Sequence, residues 1–355
     1  MAMPDAGVAD ARVPVNVLTG FLGSGKTTLL QRLLASPELA DSAVIINELG
    51  EAGIDHHLID YVDQEVLLLK NGCICCGMRG DLRTTLQDLL DRHGRLGRQA
   101  LTRVIVETTG MADPVPLLNT LALDAMLRHQ FRIGTVVATV DAYHGAAQLA
   151  QHPESVKQAA VADRIVITKT DLATPEALAA LEAELASLNR TAPRLRSSRD
   201  FDPALLALDQ DTLSAGRTRE VHNWFTAQPE DRPRTYHGMA VPAFGPATQG
   251  GHRQGVRTAS LVFDRPLNWI VLGTWMSMLL HRHGDGLLRL KCLLNIEGSD
   301  LPTVVHGVHR LVHPPVHLDA WPTEDRRSRL VLIGDIPAQD ALQASLERFL
   351  ALQAQ

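Results

Sequence analysis

The first two hundred residues alternate short apolar runs with segments of helical period. The apolar runs are rich in β-branched residues, which is typical of strands buried on both faces of a sheet. Predicted strands lie at 13–18, 43–46, 66–69, 104–106, 134–140 and 164–167, and predicted helices at 27–35, 81–92 and 175–188. This alternation predicts an α/β fold with a doubly wound, mostly parallel sheet.

The last third of the chain follows a different pattern. Residues 216–255 are rich in proline, glycine, histidine and arginine and lack apolar periodicity, which predicts a linker. Beyond it, predicted strands lie at 257–263, 287–293, 304–311, 316–321 and 330–333, and predicted helices at 269–280 and 338–350. These indicate a smaller α+β domain with a mostly antiparallel sheet. We therefore expect a disordered N-terminal tail (1–12), a first domain (13–215), the linker and a C-terminal domain (256–355).

Composition narrows the class of protein. The chain has 355 residues, of which 45% are hydrophobic and 21% charged, as in soluble globular proteins. Its formal net charge of −6 favours neither nucleic acid nor an anionic membrane as a partner. It has no apolar run that could span a bilayer and no apolar signal core, so we expect a cytoplasmic location.

The strongest chemical signal lies between the first predicted strand and the first predicted helix. Residues 20–28 read GFLGSGKTT and match the phosphate-loop pattern G-x-x-x-x-G-K-[ST] in the context that it requires. In such loops, backbone N–H groups and the helix N-terminus bind a polyphosphate. We expect Lys26 to reach the β- and γ-phosphates and Thr27 to bind Mg²⁺. The predicted phosphate-binding residues are Gly20, Gly23, Ser24, Gly25, Lys26, Thr27 and Thr28.

A second segment ends a predicted strand with an acid, Glu107, and continues to Gly110. In P-loop proteins this position holds the acid that orients Mg²⁺ or water and the glycine that senses the γ-phosphate. We therefore predict Lys26 and Glu107 as catalytic residues and Gly110 as a nucleotide-binding residue. An ordinary strand-end carboxylate is the alternative for Glu107.

The bound base depends on residues 168–171, which read TKTD after a buried predicted strand. Guanine-selective P-loop proteins have N-K-x-D there, and the aspartate accepts hydrogen bonds from the guanine N1–H and N2 amine. Lys169 and Asp171 match this pattern, whereas Thr168 offers a hydroxyl in place of an amide. The segment therefore favours GTP and GDP over the ATP of a small-molecule kinase. A helix-capping role is the alternative for Asp171.

Three of the four cysteines, Cys73, Cys75 and Cys76, lie within four residues. Such a cluster is typical of a metal or redox site rather than a disulfide framework. Thiolates bind soft metals such as Zn²⁺ and Cu(I). A tetrahedral ion leaves a fourth position, for which the candidates are Glu48, Glu51, His56, His57 or water. Cysteines that merely pack in a core, or act in thiol redox chemistry, are the alternatives.

These motifs resemble the CobW-type metallochaperone GTPases, a branch of the P-loop GTPases related to the UreG and HypB nickel-insertion proteins. The matching stretches are 18–28, 47–51, 71–76, 107–114, 168–171, 287–291 and 307–310. The resemblance implies a P-loop NTPase fold, slow GTP hydrolysis, and Zn²⁺ or in some members Co²⁺ at the three cysteines. It also implies delivery of the metal to a client metalloprotein, and it leaves homo-oligomer formation open.

Two features depart from that family. Cys292 stands where its members usually have a glycine, and the dense histidine run of many members is missing. Instead, His309, His313 and His317 share one side of an extended strand by parity. A second metal site at these histidines stays open beside an ordinary surface role.

The mechanism that we expect is a switch. Segment 47–57, the cysteine loop and 107–110 all follow predicted strand ends, where open parallel sheets bind their ligands. A γ-phosphate and a metal ion that bias the same loops give the GTP and GDP states different metal affinities. The alternative functions are an ATP-using P-loop kinase and a zinc-sensing or zinc-buffering protein that binds nucleotide without useful turnover.

Overall fold

The computed structural model of this protein describes residues 12–36, 39, 42–46, 66–68, 78–95, 101–198 and 255–352. The strands of the first domain are β1 (Val13–Gly20), β2 (Ser42–Ile46), β3 (Val66–Leu68), β4 (Arg103–Glu107), β5 (Phe131–Asp141), β6 (Arg164–Thr168) and β7 (Arg194–Arg196). Its helices are α1 (Lys26–Leu34), α2 (Met78–Arg95), α3 (Val115–Leu123), α4 (Leu127–Gln130), α5 (Gly145–Gln151), α6 (Pro153–Val161) and α7 (Pro175–Leu188). The C-terminal elements are β8 (Arg257–Phe263), α8 (Trp269–His283), β9 (Leu287–Leu294), β10 (Thr303–Val308), β11 (Leu311–Val312), β12 (Val316–His317), β13 (Ser328–Gly334) and α9 (Gln339–Leu352).

Seven parallel strands form one sheet in the order β3-β2-β4-β1-β5-β6-β7. The strand β1 lies at its centre, and its register pairs Leu18 with Glu107 of β4 and Gly20 with Thr139 of β5. Because the strands are parallel, their carboxyl ends meet at one edge, where open α/β sheets bind ligands. The predicted parallel sheet is confirmed.

Helices cover both faces of this sheet, as expected for a doubly wound fold. On one face, Leu29, Leu30 and Leu33 of α1 pack against residues of the strands such as Val44 and Ile105. The opposite face carries the buried residues of α2, α3, α5, α6 and α7. None of the described helices is long and apolar enough to cross a bilayer.

The C-terminal domain is an antiparallel sheet in the order β11-β10-β9-β13-β8, with β12 paired to β10. One face packs against α8 and α9 through residues such as Trp275 and Leu346. The other face contributes Leu288 and Ile333 to the same apolar core as α6 and α7 of the first domain. The predicted α+β domain is therefore present, and it shares a buried interface with the nucleotide-binding half.

Charged groups are buried at this interface. Arg289 and Lys291 of β9 are both buried, and both form ion pairs with Asp163, which lies between α6 and β6. Lys291 Nζ is 3.4 Å from Asp163 Oδ1, and the Val136 amide donates to Asp163 Oδ2 at 3.1 Å. Burial alone would raise the pKa of Asp163, but the two cations outweigh it and hold the pKa below its ordinary value. The C-terminal domain is thus tied to the strand that ends at Thr168.

The predicted strand 304–311 is wrong, because the structure has a hairpin there. The strands β10 and β11 pair antiparallel, with Val308 opposite Leu311. Between them His309 has a φ of 56°, a left-handed conformation that turns the chain. The predicted strand 316–321 is also shorter than expected and ends at His317. Apart from Arg12 and Gly255, the predicted tail and linker lie outside the described residues.

The hairpin also separates the three C-terminal histidines. The His309 ring bonds the Asp285 carbonyl at 3.0 Å, and the His317 ring contacts the Thr303 hydroxyl at 3.1 Å. His313 instead lies edge-on to His306. The parity argument for a shared face is therefore wrong. Within the described part of the chain, no three His, Cys, Asp or Glu residues cluster as metal ligands.

Candidate nucleotide-binding site

The loop between β1 and α1 has a backbone that requires glycine. The φ angles are 142° at Gly20, 71° at Gly23 and 89° at Gly25. A Cβ at Gly20 would lie 2.2 Å from Thr139 Oγ1, so no larger residue fits there. Gly25 caps α1 in the left-handed conformation, so the helix begins at Lys26 directly after the loop. This strand, glycine loop and helix N-terminus have the geometry of a polyphosphate site.

Side chains from two neighbouring strands hold the loop in place. The Ser24 hydroxyl bonds Thr139 Oγ1 at 2.6 Å, and the Thr168 hydroxyl donates to the Ser24 carbonyl at 2.7 Å. Ser24 and Thr139 are both buried. Our sequence reasoning did not single out Thr139, whose position opposite Gly20 emerges only from the register of β1 and β5. The loop is therefore preorganised before any ligand arrives.

The side chain of Lys26, the first residue of α1, reaches back to this loop. Its Nζ donates to the carbonyl oxygens of Gly20 at 3.0 Å and Phe21 at 3.2 Å, and the residue is 9% exposed. A cation that is held by two neutral carbonyls gains charge-assisted bonds by turning to phosphate oxygens. The arrangement therefore fits the predicted role of Lys26.

Two residues that were predicted from separate motifs are in direct contact. Thr27 Oγ1 donates to Glu107 Oε1 at 2.8 Å, and Glu107 is buried at the carboxyl end of β4. The contact follows from the parallel pairing of β1 with β4, which places the end of β4 beside the start of α1. A hydroxyl and a carboxylate are the hard oxygen ligands that Mg²⁺ prefers. The residues present therefore fit a magnesium ion next to the phosphate loop, and Thr28 is exposed in the same first turn of α1.

The segment after Glu107 lies against the phosphate loop. The Thr108 amide donates to the Leu18 carbonyl at 2.9 Å, which continues the pairing of β4 with β1. A Cβ added at Gly110 would lie 2.6 Å from the Leu22 backbone nitrogen. Only glycine allows so close an approach of two backbones. Gly110 is therefore well placed to respond to a ligand in the loop.

The TKTD segment is divided between two tasks. The Thr168 hydroxyl bonds the phosphate loop at Ser24, so Thr168 supports the loop whether or not it also meets a base. Lys169 has a φ of 53° and donates to Asp141 Oδ2 at 2.7 Å. Burial alone would raise the pKa of Asp141. Hydrogen bonds from Lys169 and from nearby backbone outweigh burial, so the pKa lies below its ordinary value. Asp171 is exposed beyond the strand end, where a base can reach its carboxylate.

The predicted zinc ligands Cys73, Cys75 and Cys76 and the candidates Glu48, Glu51, His56 and His57 lie outside the described residues. Along the chain, the two segments that carry them follow β2 and β3. The strand β2 is the neighbour of β4, whose carboxyl end carries Glu107, and β3 pairs with the other side of β2. Their role as zinc ligands stays a prediction.

Cys292 is fully buried in the apolar core between β9 and helices α8 and α9. Burial raises the pKa of its thiol. A protonated thiol in an apolar core is neither a ready metal ligand nor a nucleophile. Cys292 therefore packs as a small hydrophobic residue.

Comparison with known proteins supports the same picture. Residues 14–196 match the CobW/HypB/UreG nucleotide-binding domain, and residues 256–350 match the cobalamin synthesis protein CobW C-terminal domain. The chain is 32% identical over 340 residues to the zinc chaperone YjiA of Escherichia coli, covering 94% of this chain and 97% of that relative. It is 28% identical over 380 residues to the zinc chaperone CobW of Pseudomonas aeruginosa, covering 96% and 92% of the two chains.

A solved structure agrees with the fold. The crystal structure of the Zn(II)-bound YjiA GTPase from E. coli superimposes with a TM-score of 0.66 at 28% identity, covering 95% of this chain and 99% of that one. The resemblance inferred from the phosphate loop, the cysteine cluster and the C-terminal motifs is confirmed: the chain belongs to the CobW/HypB/UreG family of P-loop GTPases and carries the CobW C-terminal domain.

Proposed function

We propose that this protein is a slowly GTP-hydrolysing metallochaperone. It binds zinc, or cobalt, at Cys73, Cys75 and Cys76 and delivers the metal to a client metalloprotein. The observation that carries the proposal is the hydrogen bond between Thr27 and Glu107 beside a glycine loop that contains Lys26. Relatives over nearly the whole chain are named zinc chaperones, which supports the metal as cargo.

The proposed nucleotide chemistry uses residues of this one edge. Lys26 turns from the loop carbonyls to the β- and γ-phosphates, while Thr27 and Glu107 bind Mg²⁺ directly or through water. When bound, Mg²⁺ neutralises charge that develops on the phosphates during hydrolysis. Gly110, packed on the phosphate loop, reports whether the γ-phosphate is present.

In this proposal the cargo site lies at the same edge as the nucleotide site, and the strand order supports this. Along the chain, the candidate fourth ligands follow β2 and the cysteines follow β3, and β2 is the neighbour of β4, which ends at Glu107. Hydrolysis then changes the loops that hold the metal, and this lets a GTP cycle capture and release zinc. A client metalloprotein supplies the destination.

Base recognition tests the GTP half of this proposal. A carboxylate at Asp171 accepts two bonds from guanine, and Asp171→Asn replaces it with an amide that also donates. We expect the variant to bind GTP about a hundredfold more weakly, because two bonds to a charged group contribute roughly 3 kcal/mol. Affinity for XTP should rise, because xanthine offers a carbonyl in place of the guanine amine.

The measurement is equilibrium binding of GTP, XTP and ATP to wild type and variant. The control is Asp319→Asn, which makes the same chemical change at an exposed carboxylate in the C-terminal domain. The control should keep the wild-type preference for GTP. If wild type binds ATP as tightly as GTP, or if Asp171→Asn keeps full GTP affinity, then Asp171 does not read the base.

A further inference from the structure

The helix α6 holds the segment after Gly110 through a buried glutamine. Gln158 is 1% exposed, and its Nε2 donates to the Gly110 carbonyl at 3.1 Å and to the Ala112 carbonyl at 2.9 Å. Both partners are carbonyls, so the nitrogen of the amide must face them. One NH₂ group therefore sets the direction of two peptide planes in this segment.

A second contact on α6 secures the same segment. Lys157 Nζ is 2.6 Å from Asp113 Oδ2, and the other carboxylate oxygen of Asp113 accepts from the Val115 amide at 3.0 Å. Lys157 is the residue directly before Gln158. Residues 110–113 are thus bound to one turn of α6 at three points, two carbonyls and one carboxylate.

The buried Gln158 amide has one oxygen without a hydrogen bond from any described residue, and the two bonds from its nitrogen offset this cost in free energy. Its Oε1 is buried, and no hydrogen-bond donor in the described part of the chain reaches it. A buried, unsatisfied oxygen is unfavourable, and a methionine of similar size would avoid the penalty. The two hydrogen bonds to Gly110 and Ala112 are what the amide adds.

The helix that carries Gln158 also lies at the domain interface. The chain leaves α6 at Val161 and reaches Asp163, the partner of Arg289 and Lys291 in the C-terminal domain. Buried residues of α6 also share an apolar core with Leu288 of β9. The position of α6, and with it that of Gln158, therefore depends on both domains.

On the other side, Gly110 touches the phosphate loop at Leu22 so closely that a Cβ would not fit. A displacement of Gly110 must therefore be taken up by the loop or by the bonds to Gln158. We propose that Gln158 is a positioning residue for nucleotide hydrolysis, which holds the Gly110 segment against the phosphate loop from a helix shared by the two domains. The inference rests on the proposed GTPase function and assigns one residue of it.

The test compares Gln158→Met with wild type at saturating Mg²⁺ and GTP. Methionine keeps the volume and removes both donors, so kcat for GTP hydrolysis should fall about tenfold or more. Affinity for GDP should stay within about twofold, because GDP lacks the γ-phosphate that the segment senses. The split between kcat and GDP affinity separates positioning from a general loss of structure.

A matched control and a second variant guard against misfolding. Asn16 is another buried amide, whose Oδ1 accepts from the Thr135 amide in the middle of the sheet. Asn16→Leu should lower the melting temperature without lowering kcat to the same extent. In Gln158→Glu, an ionised carboxyl repels the two carbonyls while a protonated one can donate. Its kcat relative to wild type should therefore rise as the pH is lowered.

The outcomes are separable. If wild type hydrolyses GTP and folded Gln158→Met does so at the same kcat, this inference is overturned and the proposed GTPase function stands. Equal losses of kcat in Gln158→Met and Asn16→Leu also overturn it, because the effect is then one of stability. If wild type itself neither binds nor hydrolyses GTP, the failure lies in the proposed function.

Discussion

Lys26→Ala should weaken GTP binding about a thousandfold, because two charge-assisted bonds to phosphate contribute roughly 4 kcal/mol. In the structure Lys26 donates to the Gly20 and Phe21 carbonyls, and the same loop is also held by the Thr139 and Thr168 hydroxyls at Ser24. The fold should therefore survive the substitution. Isothermal titration with GTP, together with thermal melting of the apo protein, measures both quantities.

The control removes one positive charge at the opposite end of the sheet. Arg128 is exposed in α4, just before the amino end of β5, whereas the phosphate loop lies at the carboxyl ends. Arg128→Ala should bind GTP as wild type does. Unchanged GTP affinity in a folded Lys26→Ala protein would show that residues 20–28 do not bind the phosphates.

The second large effect concerns stability rather than binding. Asp163→Ala leaves Arg289 and Lys291 buried at the domain interface without their carboxylate. Breaking a buried ion cluster in this way costs about 3–5 kcal/mol of unfolding free energy. The Val136 amide also loses its acceptor. Urea unfolding of wild type and variant at neutral pH measures the difference.

Asp325 provides a matched control, because it also accepts from two arginines but lies near the surface. Its Oδ2 is 2.8 Å from Arg327 and 2.5 Å from Arg329. Asp325→Ala should cost less than Asp163→Ala, since its partly exposed partners can turn to water when the carboxylate is removed. If both alanine variants lose the same small amount, Asp163 does not join the two domains energetically.

The contribution of Asp163 to the free energy of unfolding should also depend on pH. The pKa of Asp163 lies below its ordinary value in the folded protein, so the folded state favours the charged form. Its stabilising effect is present above the unfolded pKa of about 3.9 and is lost as the pH falls through the lower folded pKa. The stability gap between wild type and Asp163→Ala should therefore narrow in acid.

The sequence was sufficient to predict the bounds of helices that carry local capping signals. The helix Pro175–Leu188 has the predicted bounds, because Pro175 starts it and Thr174 caps it by accepting from the Ala177 amide. The helix α6 was missed for a physical reason. Its buried side consists largely of small or polar residues, such as Ser155, Gln158 and Ala159, so the sequence shows no stripe of large apolar side chains.

The residues of the candidate site show the same contrast between local motifs and tertiary contacts. The phosphate loop was predicted from a local motif, and the pairing of β1 with β4 then brought Glu107 to Thr27. Thr139 and Gln158 belong to no motif, because their contacts arise from strand register and from packing between elements. The charges of Arg289 and Lys291 in an otherwise apolar strand were a usable signal of a buried ion cluster.

The central claim is that nucleotide and metal bias the same loops, so their affinities must be linked. Zinc titrations of the apo protein, the GDP form and the form with a non-hydrolysable GTP analogue test this directly. We expect about one Zn²⁺ per chain and at least about a fivefold difference in zinc affinity between the two nucleotide forms. The variant with Cys73, Cys75 and Cys76 all replaced by serine should lose zinc and keep GTP binding.

Linkage sets the stricter condition. If the GTP analogue changes zinc affinity by some factor, zinc must change the affinity for the analogue by the same factor. The account predicts equal, non-unit factors from the two titrations. Identical zinc affinities in the apo, GDP and GTP-analogue forms would contradict it, because the chain would then hold two independent sites and no switch.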